Sequence, residues 1–484
     1  MPIAPPLLLA LGVLLQGPRV DRPSSAAAPT PITSPLELVE AIETVLADAI
    51  ARAEPSVVAI DREKSGKDGE TTAVRGRNPN PPRIPEVANP LFPGIEPGGI
   101  EAISFDYGSG VVIGEGGQIL TAYHVVRGAF RITVKAQGGQ KFEAEILAAD
   151  PRSDLAVIVP RDLPGVNPPK LIPLPLGDAS KLRKGSFLVA LGNPYNAAKD
   201  GKASASWGIL SNVARRLDPG DSGETQLRNF PTLLQLDAKL NLGMSGGAVV
   251  NMRGELVGLT TAAANASGFD AQAGYAVPVD TLGRRVIETL REGREVEYGL
   301  LGIRADAGAT NRVGVVQPGT PASEGGLVVG DEVLAVGPIR VVDFASLVTA
   351  VNAFPPGEPI RLKIARNGET IEKSVILAKF PITGEVIAVN RPAPWRGLRV
   401  DYATALANIQ LGGEGLGALA RGCVRVVEVA PGSSADAAGL RPGQLIVSAA
   451  DRPVKTPADF AGAVAGKSGP VDLVDESGRK ITLK

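Results

Sequence analysis

Short Val/Ile/Leu runs alternate with Gly, Asn, Asp and Pro turns from residue 105 to 279, and this punctuation limits the fold more than any other feature. Residues 131–134, 187–191, 208–213 and 256–260 are examples. Many short strands with frequent turns predict an all-β barrel or sandwich. The 484 residues exceed the roughly 250–300 at which a single core stops growing, so more than one domain is expected.

Around this region the pattern changes. Leu36, Val39, Ile42, Leu46 and Ile50 are spaced for one helical face, and residues 55–60 read as a strand. Residues 61–99 are rich in Pro, Gly and charge with almost no apolar periodicity, which predicts a long surface loop. A closing helix is expected over 281–292. Beyond it lies an internal repeat: Pro318-Gly319-Thr320-Pro321-Ala322 through Gly330-Asp331 aligns with Pro431-Gly432-Ser433-Ser434-Ala435 through Gly443-Gln444. Apolar strands flank both copies, at 313–316 and 332–336, then at 424–429 and 445–447.

The apolar run at residues 7–15 is too short to span a bilayer. Ala26-Ala27-Ala28 suits a small-residue cleavage site, although no Lys or Arg precedes the run. An export signal is the expectation, against a disordered Pro/Ala-rich tail or an uncleaved anchor. Export places the mature chain in a periplasm or outside the cell. Lys plus Arg (50) nearly cancel Asp plus Glu (51), so no global field favours nucleic acid or an anionic membrane. A lone Cys423 excludes an intrachain disulfide framework, and one His with one Cys is too few for a His/Cys zinc site. A carboxylate-only metal site stays open. Gly412-Gly413-Glu414-Gly415-Leu416-Gly417 lacks the Lys-Ser/Thr ending of a phosphate loop. Cys423 reads as a small buried hydrophobe.

The chemistry concentrates in Asn241-Leu242-Gly243-Met244-Ser245-Gly246-Gly247. Glycines let the backbone turn tightly and bring amides close to a bound carbonyl, as a serine nucleophile requires. Gly-Ser-Gly turns are also common in structural loops. The chain has a single histidine, His124, in Leu120-Thr121-Ala122-Tyr123-His124-Val125-Val126. Its unperturbed pKa is the one nearest neutrality, and a serine hydroxyl needs such a base within hydrogen-bond reach. Singly, His124 reads as the end of a buried strand, Asp154 as a turn cap and Ser245 as part of a glycine loop. The three segments together favour catalysis.

Gly108-Ser109-Gly110-Val111-Val112-Ile113 and residues 119–126 resemble the histidine segment of trypsin-like serine proteases of the HtrA (Deg) family. Asp150-Pro151-Arg152-Ser153-Asp154-Leu155-Ala156-Val157 is similar to the family's aspartate segment. Leu234-Gln235-Leu236-Asp237-Ala238, running into the glycine turn, is similar to its serine segment. The order His, Asp, Ser is that of chymotrypsin. Each C-terminal repeat resembles a PDZ domain. The resemblance implies a mainly β chain: behind the expected signal and tail at 1–30, a double six-stranded barrel protease at 36–293 with a surface loop at 61–104, and PDZ domains at 296–381 and 393–484. It implies His124 as base, Asp154 as orienting acid and Ser245 as nucleophile, with Gly243 and Ser245 amides as oxyanion hole, and no cofactor or metal.

Met244 stands where the family usually has Asn, Leu242 where it has Pro, Lys239 where a small residue is common and Tyr123 where Asn is typical. Residues 258–263 resemble the substrate pocket wall, which makes Leu259, Thr260 and Thr261 candidate substrate contacts for small aliphatic side chains. Lys239 reads either as an inward pocket base or as a surface lysine with its head in water. Leu300, Leu301, Gly302 and Ile303 match the family's carboxylate-binding loop, whereas Trp395-Arg396-Gly397-Leu398 fits it less well. Arg396 is a candidate aid to carboxylate binding. The expected partners are unfolded or damaged proteins and peptide C-termini, with a homotrimer or larger assembly, no nucleic acid and no stable membrane span. The alternative is a catalytically silent PDZ chaperone or peptide-binding protein.

Overall fold

The computed structural model describes residues 34–63, 107–165, 167–196, 200–215, 232–261, 274–306, 308, 310–381, 386–405 and 422–484. The export signal, residues 64–104 of the long loop, residues 262–263 of the pocket wall and the 412–417 glycine run lie outside the described residues. The chain divides into a unit ending at Thr44 and a unit beginning at Val45. In the first, Ser34 and Glu37 exchange hydrogen bonds that cap helix α1 (Pro35–Ala53), and Leu36, Val39 and Ile42 are exposed. In the second, Leu46 and Ile50 pack on apolar core.

Six strands close the first barrel: β1 (Val57–Glu63), β2 (Tyr107–Val112), β3 (Ile119–Ala122), β4 (Arg131–Ala136), β5 (Gln140–Asp150) and β6 (Leu155–Pro160). The antiparallel ring runs β1-β2-β3-β6-β5-β4 and returns to β1. Side chains alternate by two along each strand. Ile60, Val112, Ile119 and Ile158 fill the interior, while Val57, Val111, Leu120 and Val157 face the second barrel. Gly110 sits where a Cβ would lie 2.6 Å from Ile119 and 2.9 Å from Ile60, so no larger residue fits there. Strand β1 runs three residues into the stretch expected as loop. Asp61 pairs with Lys135 at 2.6 Å, and buried Arg62 donates to the carbonyls of His124 (3.1 Å) and Arg127 (2.8 Å).

The second barrel comprises β7 (Phe187–Gly192), β8 (Ser204–Arg215), β9 (Leu233–Leu236), β10 (Ala248–Val250), β11 (Leu256–Thr260) and β12 (Gly274–Pro278), closed in the order β10-β11-β12-β9-β8-β7. Leu188, Leu210, Leu234 and Val249 fill it, and Val189, Leu191, Leu233 and Leu259 face the layer between the barrels. Helix α2 (Tyr123–Val126) follows β3, and helix α3 (Thr281–Arg291) follows β12. Asp280 caps α3 by accepting from Gly283 N–H at 2.9 Å, and Leu282, Val286, Ile287 and Leu290 bury one face of it in the inter-barrel layer.

The first C-terminal repeat contains β13 (Gly299–Leu300), β14 (Ile303–Ala305), β15 (Val313–Val316), α4 (Pro321–Glu324), β16 (Glu332–Val336), β17 (Ile339–Arg340), α5 (Phe344–Asn352), β18 (Pro359–Arg366), β19 (Glu369–Ile376) and β20 (Ala378–Lys379). A short strand, β21 (Ile387–Ala388), pairs with Ala148 and Ala149 on β5 and adds a seventh strand to the first barrel's sheet. The second repeat contains β22 (Leu398–Tyr402), β23 (Val424–Val429), α6 (Ser434–Ala437), β24 (Leu445–Ala449), β25 (Arg452–Pro453), α7 (Pro457–Val464), β26 (Val471–Asp475) and β27 (Lys480–Leu483). The copies share two equivalent backbone hydrogen bonds at their loops. Gln317 N–H donates to Gly302 and Ala322 N–H to Leu301, as Ala430 N–H does to Gly397 and Ala435 N–H to Arg396. Gly302 and Gly397 both have left-handed backbone, and a Cβ on either would strike Thr320 or Ser433.

Candidate active site

His124 stands in α2, the turn that follows β3, and Asp154 in the turn between β5 and β6. Asp154 is 4% exposed and adopts the left-handed region (φ 55°), which Asp tolerates better than most residues. Ser153 N–H donates to Asp150 O at 3.2 Å and Tyr123 N–H to Asp154 O at 2.8 Å, so the two turns are tied together. Asp154 Oδ2 lies 2.7 Å from His124 Nδ1, and its Oδ1 accepts from the His124 backbone N–H at 2.9 Å. Thr261 Oγ1 donates to Oδ2 at 2.9 Å. Burial alone would raise the Asp154 pKa. The His124 ring and backbone N–H and the Thr261 hydroxyl outweigh it and hold the carboxyl below its ordinary value.

The glycine turn is built from backbone rather than side chains. Gly243 (φ 92°) and Gly246 (φ 82°) are left-handed, and a Cβ on Gly243 would lie 2.4 Å from Asn193 O. A Cβ on Gly246 would lie 2.2 Å from Ser109 O and 3.0 Å from Ala122 N, so the turn lies directly against the strand that leads to His124. Ser109 N–H donates to Ser245 O at 2.8 Å, and the buried Ser109 hydroxyl donates to Gly243 O at 2.8 Å while accepting from Asn193 N–H. Gly246 N–H donates to Thr260 O at 2.7 Å. Among the described residues Ser245 Oγ makes no hydrogen bond, to His124 or to any other group. Met244 turns its side chain into the core of the second barrel and is 3% exposed, while its carbonyl accepts from Gly247 N–H and the Thr260 hydroxyl.

The expected pocket wall therefore has a structural duty as well. Leu259 is buried in the inter-barrel layer, Thr260 braces the Met244–Gly247 turn and Thr261 braces Asp154. Lys239 is exposed. Sequence reasoning missed the Ser109 bridge and a buried cluster beside the aspartate turn. There Tyr298 Oη donates to Asp150 Oδ2 at 2.5 Å, Arg152 Nε donates to Asp150 Oδ1 at 2.8 Å, and the Arg152 guanidinium lies 4.4 Å from the Tyr298 ring centre. Arg152 also donates to Val296 O. The signal was Asp150 and Arg152 within the aspartate segment, whose partners lie about 145 residues downstream.

In the first repeat Leu300 and Leu301 are buried and Ile303 opens strand β14, which pairs with β15. In the second, Arg396 does not face a carboxylate site. Its guanidinium donates to the carbonyls of Leu483 (2.7 Å), Lys467 (3.0 Å) and Gly469 (2.7 Å) and stacks 4.6 Å from the Trp395 ring. Three converging carbonyls, that of Leu483 half-buried and those of Lys467 and Gly469 exposed, occupy its donors. Cys423 is buried against Ala403 and Leu445, and burial raises its thiol pKa.

Residues 108–259 match the family model of the trypsin-like peptidase domain, and residues 299–377 and 425–471 match PDZ domain models. A probable periplasmic serine endoprotease, DegP-like, from Halomonas elongata is 31% identical over 384 residues, covering 76% of this chain and 75% of that protein. The chain belongs to the HtrA/Deg family of trypsin-like serine endopeptidases. The periplasmic pH-dependent serine endoprotease DegQ of Escherichia coli is 28% identical over 442 residues, covering 88% of each chain. A DegP-like relative from Chlamydia trachomatis is 32% identical over 356 residues, covering 70% of this chain and 66% of that relative's length. As an HtrA chain it therefore carries one peptidase domain and two PDZ domains, PDZ1 and PDZ2, in the order of the repeats. No helix among the described residues is long and apolar enough to cross a membrane.

Proposed function

We propose that the chain is an exported endoprotease of the cell envelope that cleaves unfolded or damaged proteins through His124, Asp154 and Ser245. The observation that carries the reading is the buried Asp154 carboxylate, which grips both the ring and the backbone of the only histidine. An ionised carboxylate at Nδ1 keeps the proton there, so Nε2 is the base that takes the Ser245 hydroxyl proton. Ser245 Oγ attacks the scissile carbonyl, and the Gly243 and Ser245 amides receive the developing oxyanion. The imidazolium returns its proton to the leaving amine, and water resolves the acyl-enzyme by the same route. Backbone amides supply the oxyanion contacts, so Met244 in place of Asn leaves the donors unchanged.

The PDZ domains capture substrate by strand addition along β14 and β22, with the terminal carboxylate seated on loop amides. The names of the relatives support a periplasmic setting, and the family resemblance supports homotrimers or larger assemblies of this chain. The deciding experiment pairs wild type with Ser245→Ala, each exposed to a fluorophosphonate probe and to reduced casein. Labelling and cleavage in wild type alone are expected. A folded wild type that neither labels nor cleaves sinks the proposal and leaves the silent peptide-binding protein.

A further inference from the structure

PDZ2 is fastened to PDZ1 by a charged node. Lys379, fully buried at the end of PDZ1, reaches Glu295 (2.8 Å) and Glu297 (2.9 Å) on the segment leading into PDZ1, and Asp401 (2.8 Å) on β22 of PDZ2. Thr404 Oγ1 donates to Lys379 O at 2.7 Å. Removing one partner from such a buried set leaves charge uncompensated, so a substitution at Lys379 or Asp401 disturbs this contact.

What the node brings together is specific. The Pro356–Gly357 turn of PDZ1, between α5 and β18, meets Tyr402 at the end of β22, where Tyr402 Oη donates to Pro356 O at 3.2 Å. Gly357 is left-handed (φ 84°), and a Cβ there would lie 2.6 Å from Tyr402 Oη and 3.9 Å from Thr456 Cγ2. Thr456 caps the N-terminus of α7. Strand β22 and helix α7 are the two walls of the PDZ2 groove. Leu398 and Phe460 share its core, and Trp395 packs edge-on against Phe460 with ring centres 6.0 Å apart. The PDZ1 turn thus stands between both walls at the end opposite the carboxylate loop.

A tail added to β22 starts with its carboxylate at Gly397–Leu398 and runs antiparallel, one residue per strand position. Its third residue from the end reaches Val400, and its fifth reaches Tyr402. We propose that the Pro356–Gly357 turn of PDZ1 closes the far end of the PDZ2 groove, so that PDZ2 reads only about the last three residues of a carboxy-terminal tail. This rests on the peptide-capture reading above. PDZ2 is thereby a reader of free chain ends with an apolar last residue, and extended internal segments are excluded while the node is closed.

The chain has two tryptophans, so Trp207→Phe leaves Trp395 as a reporter of the PDZ2 loop alone. Full-length Ser245→Ala/Trp207→Phe protein is titrated with acetylated peptides of three, five and eight residues sharing the ending Ser-Leu-Val, read by Trp395 fluorescence. Equal affinities within about twofold are expected for all three lengths. In Lys379→Met, and in the gentler Asp401→Asn should the first not fold, the eight-residue peptide is expected to gain about tenfold over the three-residue one, as further main-chain hydrogen bonds form. Wild-type affinity that rises about tenfold with length overturns the closure while leaving peptide capture standing. No response to any peptide, in either protein, overturns capture by PDZ2 and the closure with it.

Discussion

Thr261→Val removes one hydroxyl and keeps the shape, which makes it the sharpest probe of how the aspartate is held. Asp154 is 4% exposed and accepts three hydrogen bonds from the protein, of which Thr261 supplies one at 2.9 Å. A hydrogen bond to a charged, buried group contributes about 1.5–3 kcal/mol. The substitution should therefore raise the Asp154 pKa and destabilise the peptidase domain by about that energy at neutral pH. For a domain of this size that is a fall in Tm of roughly 3–10 °C. The sign with pH follows from the direction of the shift. Asp154 has a folded pKa below its unfolded value, so its contribution is present above the unfolded pKa and lost as pH falls through the folded one. The wild-type advantage is thus full at pH 7 and fades below about pH 4. The assay is thermal unfolding of Ser245→Ala and Ser245→Ala/Thr261→Val at pH 7 and pH 3.5, with kcat/KM measured in the Ser245 background. Equal Tm at pH 7, or a difference that persists unchanged at pH 3.5, refutes the reasoning.

Gly243→Ala places a methyl against Asn193 O in a left-handed backbone; kcat is expected to fall by about 10²-fold or more with little change in KM, and unchanged turnover contradicts the turn geometry. Tyr298 is fully buried, and burial together with Asp150 pushes its phenol well above the ordinary range. The stability it contributes is complete below the unfolded phenol value and disappears as pH rises. An alkaline titration at 295 nm should show that Tyr298→Phe loses amplitude only in the phase that accompanies unfolding. Arg62→Met removes two charge-assisted bonds to the carbonyls of His124 and Arg127, and about 2–4 kcal/mol of stability is expected to go with them, read by urea unfolding.

Short apolar runs between turns made an all-β barrel or sandwich legible, and the family resemblance supplied the pair of barrels; in the structure Val57 and Val58, or Leu120 and Ile119, fall on opposite faces. The three candidate segments around His124, Asp154 and Ser245 were legible because each is local. Charge hid the rest. Asp61, Arg62 and Glu63 look like loop, yet Lys135 pairs with the first and two carbonyls accept hydrogen bonds from the second within the sheet. Arg396 looked like a ligand for an anion because its sequence neighbours resemble a binding loop, whereas its true acceptors lie some 70–90 residues downstream. Thr261 read as pocket wall, since nothing local announces a hydroxyl aimed at a carboxylate 107 residues earlier. Packing between distant segments decides such positions, and periodicity does not carry it.

Strand β21 sets a leash. With Ile387 and Ala388 bound to β5, and Asn390 anchored to the carbonyls of Gly293 (2.8 Å) and Glu292 (2.7 Å), only residues 391–394 separate the peptidase domain from Trp395 and Arg396, which are packed into PDZ2. Such a tether stretches to at most about 14 Å, and Pro392 and Pro394 stiffen it. Even with its contacts to PDZ1 broken, PDZ2 orbits close to the first barrel, at a millimolar local concentration relative to it. On the capture proposed above, a client held by PDZ2 would meet the peptidase domain again without a new encounter.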